Sequence, residues 1–223
     1  MPEFGKVVRG FLSFRETTYK ENEALFRQLA RNQEPKVMVI ACCDSRVDPA
    51  IVTNAEQGDL FVLRNVANLV PPCEFQTEPT RHGTSAALEF AVTGLKVKYI
   101  IVLGHSGCGG IRALLTADPR VGMQHSFIYN WMQIASSARE KTLADKADAP
   151  LDEQLRYCEQ QGVRQSLDNL MTFPWVQERT AAGKLSLHGW YFDIGEGKMH
   201  FLNAASGAFE ELVSVPAPLS AAQ

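Results

Sequence analysis

Three short runs of consecutive apolar residues, each ending abruptly in polar ones, constrain the fold of this chain most. The runs are Val37–Ile40, Leu60–Leu63 and Tyr99–Leu103, and between the last two, Thr84–Leu95 has apolar residues at helical spacing. Wholly apolar strands that alternate with helices are typical of a parallel sheet buried on both faces. The sequence therefore predicts an α/β fold, with a mostly parallel central sheet flanked by helices.

A polar cluster follows each of these predicted strands directly. Cys42–Arg46 (CCDSR) follows the first, Arg64–Asn65 the second and Gly104–His105 the third. In open parallel sheets ligands bind beyond the carboxyl ends of the strands, which meet at one edge. The sequence thus places its unusual residues where such a fold forms a site.

The rest of the chain is predicted to be mainly helical and then to return to strands. Apolar spacing predicts helices at Ile111–Thr116, Ser126–Lys146 and Leu151–Met171. Alternating residues in Leu185–Asp193 predict a strand, and a turn leads from it into a return strand, Lys198–Leu202. No internal repeat or linker interrupts the chain, so we expect one domain over residues 1–223.

Two amphipathic segments open the chain, within a helical arm predicted over residues 1–35. Their apolar residues share one spacing and would form one face of each helix: Val7, Val8, Phe11 and Leu12, then Leu25, Phe26, Leu29 and Ala30. Such helices ahead of the first strand must cover either their own sheet or a partner subunit. At the other end, residues 214–223 hold two prolines among small residues and are expected to be a poorly ordered tail.

Composition and charge argue against several classes of protein. Hydrophobic residues make up 45% of the chain and charged residues 21%, close to globular averages. The formal net charge of −3 gives no general attraction for nucleic acid or an anionic membrane. Lys6, Arg9 and Arg15 interrupt the first apolar residues, so a signal peptide is not expected, and no apolar stretch is long enough to span a bilayer. The expected location is the cytoplasm.

The cysteines favour metal binding over disulfides, because their number, five, is odd and the expected compartment is reducing. His105 and Cys108 lie three residues apart on a turn where Gly107, Gly109 and Gly110 let the backbone approach closely. This H-x-x-C pattern is weak evidence by itself. A buried histidine and a buried thiol at the end of a strand would explain it without a metal.

Cys42 strengthens the case, because it also follows a buried strand. Two thiolates and one imidazole suit zinc, and three protein ligands leave the fourth position open, as in catalytic sites. Spacing does not distinguish Cys42 from its neighbour Cys43. Adjacent strand residues point to opposite faces, so only one of the two should reach the metal.

These motifs resemble those of beta-class carbonic anhydrases. Cys42–Arg46 matches the C-x-D-S-R element of that family, and His105–Gly110 matches its H-x-x-C-G-G element. Val62–Pro72 (VLRNVANLVPP) and Gly83–Glu89 also look like family segments, and the resemblance covers roughly residues 20–205. It implies a zinc-bearing α/β domain built as a homodimer or a homotetramer, in which the N-terminal helices pack on a partner subunit.

The resemblance implies a lyase that converts carbon dioxide to bicarbonate and a proton through zinc-bound hydroxide, with activity rising toward alkaline pH. It assigns one zinc ion per chain to Cys42, His105 and Cys108, and gives Cys43 no ligand role. Asp44 and Arg46 match the family's catalytic dyad, in which the carboxylate orients the hydroxide and the guanidinium holds the carboxylate.

Further site residues follow from the same resemblance. Gln33 matches an active-site glutamine that binds substrate in one branch of the family, and the backbone N–H of Gly109 is a similar donor. Phe61, Val66 and Phe90 are expected to line an apolar pocket that suits a nonpolar gas. Phe90 stands where some relatives carry tyrosine, so it is assigned packing only.

One departure from the family bears on regulation. Relatives that bind bicarbonate at a second, noncatalytic site carry tryptophan at the position of Val39, although Arg64, which that site also uses, is present here. We therefore expect no such regulation, and an open zinc site near neutral pH with Asp44 off the metal. Two alternatives stay open: a hydrolase of carbon disulfide or carbonyl sulfide on the same scaffold, and a zinc-binding protein without catalysis.

Overall fold

The computed structural model describes residues 2–74, 82–116 and 126–214, and these fall into two compact units, residues 1–34 and 35–223. Most of the predicted tail, residues 215–223, lies outside the described residues. None of the described helices has the length and apolar character needed to cross a membrane.

The first unit is helical, as its spacing predicts. It contains α1 (Pro2–Phe14), a π-helical turn (Arg15–Tyr19) and α2 (Glu23–Leu29). The ring of Phe26 packs against those of Phe14 and Tyr19, with centroids 5.8 and 5.0 Å apart. Along α1 the apolar side chains stay exposed, among them Val7 and Phe11.

The second unit is built on one mixed sheet of six strands in the order β2-β1-β3-β4-β5-β6. The first four strands in this order are parallel, and the last two continue the sheet antiparallel. The prediction of a mostly parallel α/β sheet is therefore confirmed. The strands are β1 (Val37–Cys42), β2 (Leu60–Asn65), β3 (Tyr99–His105), β4 (Ser186–Asp193), β5 (Lys198–Leu202) and β6 (Phe209–Glu211).

Helices connect these strands. They are α3 (Pro49–Thr53), α4 (Gly83–Glu89), α5 (Gly109–Thr116), α6 (Phe127–Met132), α7 (Ser136–Asp145), α8 (Leu151–Leu170) and α9 (Pro174–Ala181). The prediction of one continuous helix over Ser126–Lys146 is wrong, because a tighter 3-10 turn at Gln133–Ala135 separates α6 from α7. The short helices α3 and α9 were not predicted, although proline at the first position of each is a helix-start signal.

Both faces of the central strands are buried, which explains their unbroken apolar sequences. Met38 and Ile40 point into the main core, together with residues of α4, α8 and α9. Val39 and Ala41 point to the opposite face, where they join a smaller cluster with Leu103. Because β1 pairs in register with β3, the carboxyl ends of these two strands lie side by side.

Candidate metal centre

Two strand ends and one turn bring three metal-ligating side chains together. Cys42 is the last residue of β1 and His105 the last residue of β3, and Cys108 follows just before α5. Their ligand atoms all lie within 4.8 Å of one another, and all three side chains are buried. The predicted set of two thiols and one imidazole is therefore present as a single cluster.

The choice between the two adjacent cysteines follows from strand alternation. The sulfur of Cys42 lies in the cluster and accepts a hydrogen bond from the backbone N–H of Ala67 at 3.3 Å. Cys43 is exposed, and its backbone N–H donates to the carbonyl oxygen of Asn65 at 2.8 Å. Cys42, and not Cys43, is placed to bind a metal.

The glycines around the turn have different reasons to be there. Gly107 has φ +70°, a left-handed conformation that side chains rarely adopt. A Cβ at Gly104 would lie 2.6 Å from Cγ2 of Val163, so glycine lets α8 pack closely on β3 just before His105. A Cβ at Gly110 would similarly meet Val66 at 2.9 Å, whereas a Cβ at Gly109 would meet no atom within 4 Å. The expected close approach thus holds for Gly110, whereas Gly107 is required by its backbone conformation and Gly109 by neither.

The ring of His105 presents a free lone pair to the cluster. Its Nδ1 lies 3.0 Å from the carbonyl oxygen of Ser106, which can only accept, so Nδ1 carries the proton. The other nitrogen, Nε2, is buried and has no hydrogen-bond partner among the described residues. A buried orphan nitrogen beside two sulfurs fits a metal ligand, since unpaired buried polar atoms are otherwise costly.

The two thiols of the cluster are electrostatically coupled. A hydrogen bond with Cys108 holds the pKa of Cys42 well below its usual value, and the same contact, together with burial, raises the pKa of Cys108. Backbone N–H groups of Ile111 and Gly110 face the Cys108 sulfur and favour its thiolate. This donor set suits zinc, which binds thiolate sulfur and imidazole nitrogen.

Asp44 and Arg46 form a two-pronged ion pair at the edge of the cluster. Arg46 Nε donates to Asp44 Oδ1 at 2.9 Å, and Nη2 donates to Oδ2 at 2.7 Å. Nη2 also donates to the carbonyl oxygen of Gly107 at 3.0 Å, which ties the pair to the turn. Asp44 Oδ2 lies 4.0 Å from His105 Nε2. The hydrogen bond to Arg46 holds the pKa of Asp44 well below its usual range.

Arg64 holds the loop that follows Cys42. From β2 it donates to the carbonyl oxygens of Cys42 at 2.9 Å, Asp44 at 2.7 Å and Val47 at 3.1 Å. Its Nη1 also donates to Asp48 Oδ2 at 2.9 Å. Arg64 thus fixes the backbone of the loop that carries Asp44 and Arg46, a role that its position in the sequence did not reveal.

Glu159 and Tyr191 are further site residues that the sequence interpretation missed. Glu159 Oε1 accepts the backbone N–H of Cys108 at 2.8 Å, and Tyr191 OH donates to Oε2 at 2.8 Å. Burial raises the pKa of Glu159 despite both hydrogen bonds, and burial also raises the pKa of Tyr191. One signal was available: Glu159 lies at helical spacing between the apolar residues Leu155 and Val163 of α8.

The proposed pocket residues are brought together only in part. Val66 lines a cavity of about 620 Å³ with Cys43 and Trp131. Phe61 and Phe90 pack on each other with ring centroids 5.8 Å apart, and Phe90 is half exposed. Neither phenylalanine is among the described residues that line this cavity.

The two predicted hydrogen-bond donors to substrate lie in different parts of the chain. Gly109 begins α5, and Gln33 belongs to the first compact unit, where it is exposed.

Comparison with known proteins identifies the family. The sequence model of the carbonic anhydrase family matches residues 37–199. Over 191 residues the chain is 42% identical to beta carbonic anhydrase 5, chloroplastic, of Arabidopsis thaliana, a match that covers 86% of this chain. The chain spans 62% of the length of that relative.

Solved structures of the beta class share the fold. The structure of the beta-carbonic anhydrase CcaA superposes with a TM-score of 0.86 at 32% identity, over 94% of this chain and 99% of that one. A tetrameric beta-carbonic anhydrase from Sordaria macrospora gives 0.80 at 30% identity, over 92% and 98%. The resemblance first noted in the CCDSR and HSGCGG segments is thereby confirmed. The chain belongs to the beta class of the carbonic anhydrase family.

Proposed function

We propose that the protein is a zinc-dependent lyase that catalyses the reversible hydration of carbon dioxide to bicarbonate and a proton. One observation carries this proposal: the buried cluster of Cys42, His105 and Cys108 lies beside the Asp44–Arg46 pair. Membership of the beta-carbonic anhydrase family supports it.

One zinc ion per chain would be held by the two cluster sulfurs and by Nε2 of His105. A zinc ion bound there supplies the Lewis acidity that makes water chemistry accessible near neutral pH. The protein contributes the orientation of its ligands. The carbonyl oxygen of Ser106 fixes the His105 ring, and the N–H of Ala67 fixes the Cys42 sulfur.

In the proposed reaction, Asp44 orients the nucleophile and accepts its hydrogen bond at Oδ2, the carboxylate oxygen nearer the cluster. Arg46 donates to both carboxylate oxygens, so the carboxylate cannot rotate freely. The hydrogen bond from Arg46 to the carbonyl oxygen of Gly107 attaches this pair to the turn between β3 and α5, which carries Cys108 and is called the ligand turn. The dyad thus supplies orientation through a fixed hydrogen-bond acceptor that stays ionised.

Substrate binding is assigned to apolar walls and two amide donors. Phe61, Val66 and Phe90 offer apolar surface to carbon dioxide, which has no net dipole. The N–H of Gly109 and the side-chain amide of Gln33 are proposed to donate to the oxygens of bicarbonate, which is an anion, whereas carbon dioxide is uncharged.

We further propose that the protein is a cytoplasmic homodimer or homotetramer, with its N-terminal helices packed on a partner subunit. Apolar side chains of α1 such as Phe4, Val7 and Phe11 are exposed, with 59–70% of their surface accessible, and a partner would remove this surface from water. The Sordaria macrospora relative is described as tetrameric. All five cysteines are free thiols, which is usual in a reducing compartment. Sedimentation equilibrium of the purified protein and fractionation of its host cells test these two points.

The test of the activity is carbon dioxide hydration by stopped flow from pH 6.5 to 9, with zinc measured on the same sample. We expect fast turnover with about one zinc per chain. Asp44→Asn should keep the zinc and lower the rate by about 10²-fold or more, because the amide accepts hydrogen bonds more weakly than the carboxylate and keeps only one of the two oxygens that Arg46 holds. Asp145→Asn, which alters an exposed ion pair with Lys141, is the matched control and should leave the rate unchanged.

Full zinc occupancy without hydration at any pH would contradict the proposed activity. The same samples would then be assayed with carbonyl sulfide and carbon disulfide. Turnover of either gas would assign the scaffold to those substrates, and no turnover at all would leave a zinc-binding protein without catalysis.

A further inference from the structure

A buried carboxylate, Glu159, contacts the backbone of the metal cluster and belongs to neither the ligand set nor the Asp44–Arg46 pair. Glu159 lies on the buried face of α8 and only 4% of its surface is exposed. The residues one turn before and one turn after it, Leu155 and Val163, are apolar, although the helix also buries the polar residues Ser166 and Asn169 farther along. Burying a carboxylate in such surroundings costs free energy that an apolar side chain would not. Glu159 is the carboxylate among the buried polar residues of this helix, so its contacts must offset that cost.

Both oxygens of this carboxylate are used, and each contacts a different element. Oε1 accepts the backbone N–H of Cys108, and Oε2 accepts the hydroxyl of Tyr191, each at 2.8 Å. Tyr191 is fully buried on β4 and pairs across the sheet with Gly104, the residue before His105. Glu159 thus joins the ligand turn, the helix and the sheet at one point.

The same helix also fixes the position of the second ligand. One turn after Glu159, Val163 packs so closely on β3 that a Cβ at Gly104 would lie 2.6 Å from its Cγ2. Consequently α8 contacts the chain directly before His105 through Val163, and the backbone of Cys108 through Glu159. Two of the three cluster residues take their positions from one face of this helix.

We propose that Glu159 is a positioning residue for the metal centre: its carboxylate, held by Tyr191, fixes the backbone of Cys108 so that the thiolate meets zinc in the geometry of the cluster. This role rests on the proposed zinc site and adds a residue to it. Groups that orient metal ligands from behind typically contribute 10–100-fold to metal affinity. The Glu159 side chain must be long enough for its carboxylate to contact both the N–H of Cys108 and the hydroxyl of Tyr191. We therefore expect the length of this side chain to affect zinc binding more than its charge.

Two substitutions separate reach from charge. Glu159→Gln keeps the length of the side chain and an oxygen that can accept from Cys108, but removes the charge. Glu159→Asp keeps the charge but is one methylene too short to reach both Cys108 and Tyr191. If Glu159 acts by position, Glu159→Asp raises the dissociation constant for zinc about 10-fold or more, and Glu159→Gln raises it much less. If it acted only by charge, the order would be reversed.

The measurement is zinc transfer from the purified zinc-loaded protein to a chromogenic chelator, with thermal unfolding of the same samples. Asn169→Ala is the matched control. Asn169 is a buried polar residue of the same helix, donates to the carbonyl oxygen of Val70 at 2.7 Å and does not contact the ligand turn. It should lower the melting temperature without changing zinc affinity. Tyr191→Phe removes only the hydroxyl that holds Glu159 and should weaken zinc binding less than Glu159→Asp does.

Several outcomes would overturn the proposal. Unchanged zinc affinity in Glu159→Asp would do so, as would a larger loss in Glu159→Gln, or a loss in Asn169→Ala that equals that of Glu159→Asp. If Glu159→Asp fails to fold, Tyr191→Phe decides, and wild-type affinity in that variant counts against the role. Wild-type protein that holds zinc but does not hydrate carbon dioxide would contradict the proposed activity alone, because this readout does not use turnover.

Discussion

The guanidinium of Arg64 donates to the backbone carbonyl of Asp44 at 2.7 Å, although the two residues lie on different segments of the chain. Arg64 projects from β2, which pairs with β1 in parallel register, Ala41 opposite Arg64. Its fork also reaches the carbonyl oxygens of Cys42 and Val47. The second strand in the sequence therefore fixes the loop that carries both a cluster residue and the Asp44–Arg46 pair.

Replacing this fork by a single ammonium should loosen the loop. In Arg64→Lys a single ammonium group cannot donate to all the carbonyl oxygens that the guanidinium reaches. Some of the carbonyl oxygens of Cys42, Asp44 and Val47 therefore lose their hydrogen-bond donor. We expect a loss of about 2 kcal/mol or more in the free energy of unfolding, measured by urea denaturation, and a slower hydration rate. Arg27→Lys alters an exposed ion pair with Glu23 and should leave the urea midpoint essentially unchanged. Equal effects in both variants would contradict this assignment.

Close packing at Gly104 leads to a second prediction. Gly104→Ala adds a methyl group 2.6 Å from Val163 Cγ2, so strand and helix must separate. We expect a loss of about 1–3 kcal/mol in unfolding free energy and weaker zinc binding, because the next residue is His105. Gly83→Ala is the control, since a Cβ there meets no atom within 4 Å. Adding Val163→Ala to Gly104→Ala should restore zinc binding, and failure to do so would show that the clash is not the cause.

Removal of the metal should destabilise the fold. A ligand that binds only the native chain at 100 times its dissociation constant adds about 2.7 kcal/mol, which for a chain of this length corresponds to roughly 5–10 °C in melting temperature. Treatment with a chelator should lower the melting temperature by this amount. Added Zn²⁺ should restore it, whereas Mg²⁺ should not, because Mg²⁺ prefers oxygen ligands. An unchanged melting temperature after complete zinc removal would contradict the role of Cys42, His105 and Cys108.

Stability should also depend on pH through His188. Burial lowers the pKa of this histidine below its ordinary value of 6.5, so the unfolded chain takes up the proton more readily than the folded one. The contribution of His188 is therefore complete above pH 6.5 and is lost as the pH falls below it. In His188→Asn the unfolding free energy should fall less between pH 7 and 5.5 than in the wild type. Parallel pH profiles from urea titrations would exclude His188 as a source of this dependence.

The strands and the cluster were predictable because they depend on local pattern. Unbroken apolar runs marked β1 and β3, and the alternation of side chains along a strand required that only one of Cys42 and Cys43 reach the metal. The extra strand β6 was not predicted, because three residues are too few to show a period. The break between α6 and α7 was also missed, since helical spacing continues across it.

The supporting residues could not be predicted because their partners are distant in the sequence. Glu159 meets Cys108 across 51 positions, and Arg64 meets Cys42 across 22. Neither pairing leaves a spacing pattern in one segment. The sequence did place a carboxylate at a buried position of α8, between Leu155 and Val163, but only the packing of the helix on the sheet reveals its partners.

The pairing of β1 with β3 also decides when the metal can bind during folding. Two of the cluster residues, Cys42 and His105, end neighbouring strands, yet β2 and α4 lie between them in the sequence. A partly folded chain holds at most the local His105–Cys108 pair, and the third ligand arrives only when this long loop has closed. Binding of zinc by all three residues during refolding should therefore report the pairing of β1 with β3, so its rate should follow this long-range strand pairing and not the formation of the turn.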